Sequence, residues 1–221
     1  MTELDVLVVD DHPMMREAVC TYVDSAAGMK CVGEAADGES AVAAALHLNP
    51  DVVVMDIQMP RKDGIQATAE LSQRSASSAV LAVTTFNQEH YAVRALRAGA
   101  RGYIVKDAYA HEVIQAIQGV VTGDIILSPQ IARELVVEVS NDGESLQGAL
   151  DEYEEIPQVP ERQLAVLQLL GRGHSNAEIA RELFLAEDTV KKYLRRLNER
   201  FSTRDRVQLL IRAVQLGFIQ P

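Results

Sequence analysis

The chain has 221 residues, of which 48% are hydrophobic, and a formal net charge of −11. This length accommodates one large domain or two small ones, and the apolar share is enough for a buried core. No apolar run approaches the roughly 20 residues of a membrane span, and the amino terminus lacks the pattern of a signal peptide, so we expect a cytoplasmic protein without a membrane partner.

The charge is distributed unevenly along the chain. Residues 1–139 carry 10 Lys or Arg against 19 Asp or Glu, and residues 140–160 carry six acids and no base. Residues 161–221, in contrast, carry 11 bases against 7 acids. A basic end on an otherwise acidic chain favours nucleic acid as the partner of that end alone.

The first half of the chain alternates between short apolar runs and segments with helical periodicity. The predicted strands cover 4–9, 30–36, 52–56, 79–83 and 101–105, and a helical segment follows each of them. This alternation predicts an α/β fold with a doubly wound, five-stranded parallel sheet. Cys20 and Cys31 lie in apolar patterns of this half, where two buried thiols are the main expectation and a redox pair is the alternative.

The middle of the chain contains a helical extension and an acidic linker. Residues 128–139 have helical spacing, after which residues 140–160 contain turn residues, acids and little periodicity. We interpret this acidic stretch as a linker that is extended by repulsion between its own charges. A short amphipathic helix over 146–150 is the alternative.

From residue 161 onward the pattern is helical throughout. Two glycines near residue 172 end the first helix, Asn176 is the expected cap of the second, residues 186–188 open the third, and Asp205 opens the fourth. Apolar residues at helical spacing predict a small all-α bundle. The expected domains are therefore a first domain over 1–123, a helical extension with linker over 124–158, and a second domain over 159–221.

Polar side chains stand at the carboxyl ends of four predicted strands. The set comprises Asp10 and Asp11 after the first strand, Asp56 after the third, Thr84 after the fourth and Lys106 after the fifth. In a parallel sheet these ends lie along one edge, where α/β proteins bind ligands. Three crowded carboxylates repel one another unless a cation lies among them. Oxygen ligands without clustered His or Cys favour Mg²⁺ over zinc.

Lys106 and Thr84 extend this acidic set toward a phosphoryl group. The lysine supplies a positive charge and the threonine a hydroxyl donor, both of which suit a tetrahedral dianion. An aspartate such as Asp56 can act as the nucleophile in phosphoryl transfer. Taken singly, Asp10 could cap a helix, Thr84 could belong to a turn and Lys106 could be solvated. Their joint placement at matching strand ends favours the phosphoryl site.

Four segments carry a resemblance to a known family. VVDDH, MDIQMPRKDG, VTTF and GYIVKD are similar in order and spacing to the signature segments of the receiver domain of two-component response regulators, over roughly residues 4–122. The resemblance implies a flavodoxin-like receiver in which Asp56 accepts the phosphoryl group and Lys106 contacts it.

The same resemblance implies a metal site and a switch. Asp11, Asp56 and the backbone carbonyl of Gln58 would hold Mg²⁺ with help from Asp10, and Thr84 and Tyr103 would form the switch pair. Many receivers have a proline after the lysine, often in cis linkage. Asp107 stands at that position here, so the resemblance leaves the geometry of this peptide bond open.

The helix predicted near residue 190 has an apolar back and a basic front. Its apolar stripe consists of Val190, Leu194, Leu197 and Phe201, and its basic side consists of Lys191, Lys192, Arg195 and Arg196. Such a helix after a capped helix and a tight turn is typical of a recognition helix in the DNA major groove. A solvated basic face is the alternative.

The segment SNAEIARELFLAEDTVKKYLRRLNERFSTRDR resembles the helix-turn-helix of the LuxR type found in NarL/FixJ response regulators, and the likeness covers about residues 161–218. It implies that Lys191, Lys192 and Arg195 contact bases or phosphates. Thr189 and Arg196 are candidates for contacts to the DNA backbone. The helix over 205–218 would supply a dimer contact. The chain departs from the family pattern at VPERQLAVL, and at Tyr193, where histidine is frequent.

Together these features predict a DNA-binding transcriptional response regulator rather than a metabolic enzyme. A sensor histidine kinase would phosphorylate Asp56 in a Mg²⁺-dependent reaction. The phosphorylated chain would form a homodimer that binds paired half-sites in promoter DNA and contacts RNA polymerase.

Two alternatives come from other functional classes. A haloacid-dehalogenase-type phosphatase also uses Asp, Thr and Lys at strand ends, but it places its nucleophile after the first strand as Asp-x-Asp. A DNA-binding protein could instead have a receiver that is structural or binds a small molecule. The lone Asp56 after the third strand argues against the first alternative, and the complete acidic set argues against the second.

Overall fold

A computed structural model of the chain describes residues 3–74, 77–84, 89–122, 129–146 and 157–219. The chain divides into two compact units, Met1–Ile125 and Ile126–Pro221. The first unit contains the predicted five-stranded α/β domain, and the second contains only helices among its described residues, which confirms the predicted fold class.

The first unit is built on a parallel sheet. Its strands are β1 (Leu4–Val9), β2 (Met29–Ala35), β3 (Val52–Asp56), β4 (Ala79–Thr84) and β5 (Gly102–Val105). They are arranged in the order β2-β1-β3-β4-β5. Valines dominate β1 and β3, and every residue of β3 is buried. This composition is expected of parallel strands that helices cover on both faces.

Five helices among the described residues of the first unit pack on its sheet. They are α1 (Pro13–Ser25), α2 (Gly38–Leu48), α3 (Gly64–Gln73), α4 (Glu89–Ala98) and α5 (Ala110–Thr122). Helix α1 packs against α5, whereas α3 packs against both α2 and α4. The apolar core includes Val6, Val8, Val54, Leu81 and Ile117, each at most 2% exposed.

The strand order reverses between β1 and β3. From β1 the chain first continues to β2 on one side, and it later returns to β3 on the other side of β1. The two strands are in register at their carboxyl ends, where Val9 is opposite Met55. Loops diverge at such a switch point and leave a crevice that is the usual ligand site of open α/β sheets. The residues that end β1 and β3 therefore lie at one crevice.

Close backbone packing holds the loop after β3 against the end of that strand. The Gly64 N–H donates to the Ile57 carbonyl at 2.9 Å. A Cβ atom at position 64 would lie 2.0 Å from the carbonyl oxygen of Asp56. Only glycine allows two backbone segments to approach this closely, so the loop as well as the strand fixes the position of Asp56.

The two cysteines are paired, which corrects the main expectation of two buried thiols. Cys20 on α1 and Cys31 on β2 form a disulfide with their Cα atoms 5.4 Å apart. Both side chains are half-buried rather than enclosed in the core. The pairing depends on how α1 packs against β2, and the apolar pattern around each cysteine carries no information about that contact.

The second unit contains five helices among its described residues. They are α6 (Pro129–Leu146), α7 (Glu161–Gly171), α8 (Asn176–Glu182), α9 (Glu187–Phe201) and α10 (Arg206–Gln215). The expected cap of α8 was wrong by one residue. Ser175 is the cap, and its hydroxyl accepts from the Glu178 N–H at 3.3 Å. Asn176 instead accepts a hydrogen bond from Arg206 Nη1 at 2.8 Å, which ties α8 to α10.

Helix α6 differs from the expected helical extension in length and in partners. It continues past residue 139 to Leu146 and packs against α10 and α7. The structure therefore includes α6 in the compact unit Ile126–Pro221, whereas the sequence grouped it with the linker. None of the described helices is long and apolar enough to cross a membrane.

Candidate acidic site and candidate DNA-contact helix

The residues predicted for the acidic site lie together at the carboxyl edge of the sheet. Asp10 directly follows β1, Asp56 ends β3, Thr84 ends β4 and Lys106 directly follows β5. The Lys106 N–H donates to the Thr84 carbonyl at 2.7 Å, which aligns the ends of β4 and β5. Strand register alone thus brings residues from four separate parts of the chain to one edge.

Lys106 links two of the carboxylates. Its Nζ lies 2.8 Å from Asp10 Oδ2 and 2.7 Å from Asp56 Oδ2. Burial alone would lower the pKa of Lys106, but its hydrogen bonds to Asp10 and Asp56 outweigh burial and raise that pKa. The lysine is therefore a fixed positive charge between two acidic strand ends.

Asp56 is almost completely buried, at 1% exposure. Burial raises the pKa of Asp56, and the contact with Lys106 offsets this effect only in part. Its Oδ1 accepts a hydrogen bond from the Gln58 N–H at 3.3 Å, so the backbone of Gln58 lies next to the carboxylate. A desolvated carboxylate beside a lysine is suited to bind, or to react with, an anionic group that brings a metal cation with it.

Asp10, Asp11 and His12 form a second part of the site. They can each offer a ligand atom within 4.8 Å of the others. His12 Nδ1 lies 2.7 Å from Asp11 Oδ1, and the His12 N–H donates to Asp10 Oδ1 at 2.8 Å. Asp56 is outside this group and is connected to it through Lys106 and Asp10.

The donor chemistry of this edge fits a hard divalent cation. Carboxylate oxygens of Asp10, Asp11 and Asp56 are the ligand type that Mg²⁺ prefers. The mutual repulsion of three acids gives a cation a favourable electrostatic setting. Of the predicted metal ligands, Asp10 and Asp11 fall in the group that could hold an ion, His12 joins them, and Asp56 lies outside that group.

Two neighbours of the acids were missed by sequence reasoning. His12 contacts Asp11, and Arg16 Nη1 donates to the Asp10 backbone carbonyl at 2.7 Å. Arg16 also binds Glu34 of β2, with Nε 3.2 Å from Oε2. The adjacency in VVDDH was a signal for His12. Arg16 had no signal, because its role depends on the packing of α1.

Thr84 and Tyr103 lie on adjacent strands. Thr84 is 3% exposed, and Tyr103 is half-buried. Tyr103 is paired with Ala82, two residues before Thr84 on β4. Residues two apart on a strand, and partners in register, point to the same face of a sheet. The predicted switch pair therefore shares one face of the β4–β5 pair.

The peptide bond whose geometry the resemblance left open, Lys106–Asp107, is trans.

Helix α9 has the predicted division into an apolar and a basic face. Its buried residues are Val190, Leu194, Leu197 and Phe201. The basic residues Lys191, Lys192, Arg195 and Arg196 are all exposed, and Thr189 is half-buried. Two acids of the same helix lie near this face, with Lys191 Nζ 4.0 Å from Glu187 Oε1 and Arg195 Nε 4.0 Å from Glu199 Oε1. Exposed pairs of this kind are weak, so the face remains available to an anion.

A short turn joins α8 to α9, and a buried arginine, Arg206, ties the start of α8 to α10. Arg206 is 3% exposed and also donates from Nη2 to the His174 carbonyl. Phe184, in the turn between α8 and α9, has a positive φ of 53° and is 96% exposed. A capped helix, a tight turn and a second helix with a basic front are the parts of a helix-turn-helix.

Both halves of the chain match known protein families. Residues 6–118 match the response regulator receiver domain, and residues 159–213 match the bacterial regulatory proteins of the luxR family. The transcriptional regulatory protein YxjL of Bacillus subtilis is 32% identical over 219 residues, which cover 99% of this chain and 98% of YxjL. The response regulator protein VraR of Staphylococcus aureus is 32% identical over 217 residues, covering 98% of this chain and 99% of VraR.

A solved structure supports the same relationship. The crystal structure of a LuxR-family two-component response regulator from an Aurantimonas species has a TM-score of 0.56 and 34% identity, over 62% of this chain and 98% of that chain. These relatives are regulators rather than metabolic enzymes. The chain therefore belongs to the two-component response regulators in which a receiver domain is joined to a LuxR-type DNA-binding domain.

Proposed function

We propose that phosphorylation of Asp56 controls DNA binding by this response regulator. The observation that carries the proposal is the contact of the buried Asp56 carboxylate with Lys106, at the switch point of a receiver fold. A sensor histidine kinase is the donor. The Asp56 carboxylate attacks phosphorus, the phosphorus–nitrogen bond of the kinase phosphohistidine breaks, and Lys106 neutralises charge on the transferred group.

Asp10, Asp11, Asp56 and the Gln58 carbonyl are the proposed Mg²⁺ ligands. When bound, the ion would neutralise phosphoryl oxygens and reduce repulsion from the carboxylates. His12 and Arg16 orient the acidic loop, because each binds an atom of Asp10 or Asp11. Lys106 thus lies between Asp56 and Asp10, and His12 and Arg16 hold the loop that carries Asp10 and Asp11.

Thr84 and Tyr103 are the proposed route from Asp56 to the rest of the receiver. The Thr84 hydroxyl would bind the phosphoryl group, and Tyr103 would follow it on the same face of the sheet. A ligand shifts such an equilibrium only by its difference in affinity for the two states. A change from mostly inactive to mostly active needs about 5 kcal/mol of differential stabilisation.

The output is proposed to be a homodimer on promoter DNA. Lys191, Lys192 and Arg195 would read bases or phosphates, Thr189 and Arg196 would contact the backbone, and the helix over 205–218 would join two copies. Two copies fit paired half-sites about one helical turn apart. RNA polymerase is the proposed final partner. The proposed domains are 1–123, 124–158 and 159–221.

Phosphorylation of Asp56 is tested by labelling with acetyl phosphate and Mg²⁺. Intact-mass measurement should show one added phosphoryl group on the wild-type chain and none on Asp56→Asn, because an amide oxygen is a poor nucleophile. Asp51→Asn is a matched control, since Asp51 is an exposed carboxylate just before the other end of β3. Equal labelling of wild type and Asp56→Asn would assign the phosphoryl group to another residue.

A further inference from the structure

Helix α10 is buried over a wider part of its circumference than packing against one neighbouring helix would cover. Its buried positions are Arg206, Val207, Leu209, Leu210, Ala213 and Val214. At 3.6 residues per turn they span an arc of about 160°, wider than the apolar stripe of a typical surface helix. Helices α6, α7 and α9 all pack against α10.

Helix α6 covers its share of α10 with a continuous apolar stripe. The stripe consists of Ile131, Ala132, Leu135, Val136 and Val139, each at most 4% exposed. The spacing of these residues places them on one side of the helix. The adjacent Val137 is outside this stripe, is 46% exposed and borders a cavity next to α7. The contact is therefore specific to one face of α6, and that face has the character of a core.

The packing of α6 on the bundle is incomplete next to α7. A cavity of about 720 Å³ lies between α6, α7 and the segment after α10. Its lining includes Arg133, Val136, Gln168, Arg172 and Phe218. Side chains that border this solvent-accessible pocket face water rather than α7 on that side, so this part of the contact buries less apolar surface than a filled core. Helix α6 is consequently held less firmly on the bundle than a helix packed on all of its inner face.

We propose that α6 is a removable cover on the face of α10 that pairs with a second copy of this chain. In the monomer, α6 shields the apolar residues of α10. In the dimer, α10 of the second copy takes the place of α6, which suits a two-fold interface because both copies present the same surface. This proposal rests on the proposed pairing of two copies through the helix over 205–218, and it adds the element that prevents the pairing.

The test compares full-length variants by analytical ultracentrifugation without a phosphodonor. Leu135→Ala together with Val139→Ala removes apolar contacts from the covering face and should lower the dimer dissociation constant by about tenfold or more. Leu46→Ala on α2 is the control, since it truncates a 40% exposed leucine outside α6 and its cavity and should leave the constant unchanged. A wild-type constant in the double variant would overturn the proposal.

Hydrogen exchange supplies a second readout, and its measurement on phosphorylated wild type does not require any variant to fold. On dimer formation by either the loosened variant or phosphorylated wild type, amides of α6 should lose protection while those of α9 retain it. A dimer in which α6 remains fully protected would overturn the cover. Intact-mass measurement distinguishes failure of this proposal from failure of the proposed function. If the proposed function fails, Asp56 gains no phosphoryl group.

Discussion

Asp56 is the least exposed of the three acidic side chains at the site, and its ionisation is opposed by that burial. It is 1% exposed, against 5% for Asp10. Burial raises the pKa of Asp56 above the ordinary value of 3.8, and Lys106 offsets only part of the increase. The carboxylate is thus kept at its position by the surrounding fold, although its charge reduces the stability of that fold.

Stability should therefore depend on pH through Asp56. Because its pKa is raised in the folded state, the ionisation penalty is absent below 3.8 and complete above the folded pKa. In metal-free buffer at neutral pH, Asp56→Asn should melt at a higher temperature than wild type, since an amide cannot ionise. The difference should shrink as the pH is lowered toward 3.8. Circular dichroism melts across this range measure it, and identical melting temperatures at every pH would contradict it.

Phe184 offers a second test at the residue scale. A positive φ costs a residue with a side chain about 1–2 kcal/mol, whereas asparagine tolerates this conformation better. Phe184→Asn should stabilise the second unit by about 0.5–1 kcal/mol in urea unfolding. Phe184→Ala is the control, because it removes the same exposed ring without favouring the left-handed conformation. Equal stability of the two variants would show that the backbone at this turn is not strained.

Single residues were predictable where one local rule fixed their place. Asp10, Asp56 and Lys106 were found because each follows an apolar strand, and parallel strands end at one edge. The link from Lys106 to Asp56 joins residues 50 apart in sequence. The contacts of Arg16 could not be predicted in the same way, because a helical arginine carries no sign of which strand end it will reach.

At the scale of elements, the disulfide connects α1 to the edge strand β2. The linked cysteines are 11 residues apart, and closing a loop of this size stabilises a fold by about 2–3 kcal/mol in the loop-entropy account. Cys31→Ser should lower the stability of the first unit by about this amount in oxidising buffer. With excess reductant, wild type and variant should differ much less. Urea unfolding under both conditions measures the effect, and a loss that is equal in both would assign it to packing instead.

Helix α9 should show two kinds of DNA contact. Replacing a proposed base-reading side chain, as in Lys192→Ala or Arg195→Ala, should cost about 1–3 kcal/mol and relax preference at one position. Arg196→Ala, at a proposed phosphate contact, should weaken all duplexes alike and lower the salt slope by about one. Salt titrations on specific and scrambled duplexes separate these effects. Arg162→Ala on α7 is the control, and unchanged binding in all α9 variants would leave a solvated basic face.

Elements with a strong local pattern were also the predictable ones. The strands of the sheet were found within a few residues, because valine-rich runs bounded by turn residues leave few other structures. Helix α6 was detected but its end and its partner were not. Its apolar stripe packs on α10, and no local rule states which distant helix will cover an apolar face.

At the scale of the whole molecule, the two ends of the chain have opposite charge. The excess of acids over residues 1–160 and of bases over 161–221 could be counted from the sequence alone, because net charge does not depend on the fold. This explains why the division into a regulatory and a DNA-binding part was foreseeable. The grouping of α6 with the second unit was not, since it follows from packing.

The contact between Gly64 and Asp56 has a consequence for how mutations in this protein should be interpreted. A methyl group at position 64 has no room, since its carbon would lie 2.0 Å from the Asp56 carbonyl oxygen. Any side chain there must move the backbone of Asp56, the proposed phosphoacceptor. A genetic screen for loss of signalling would therefore recover position 64 alongside the charged residues, although glycine performs no chemistry. Sensitivity to substitution at this site reports steric exclusion as well as reactivity.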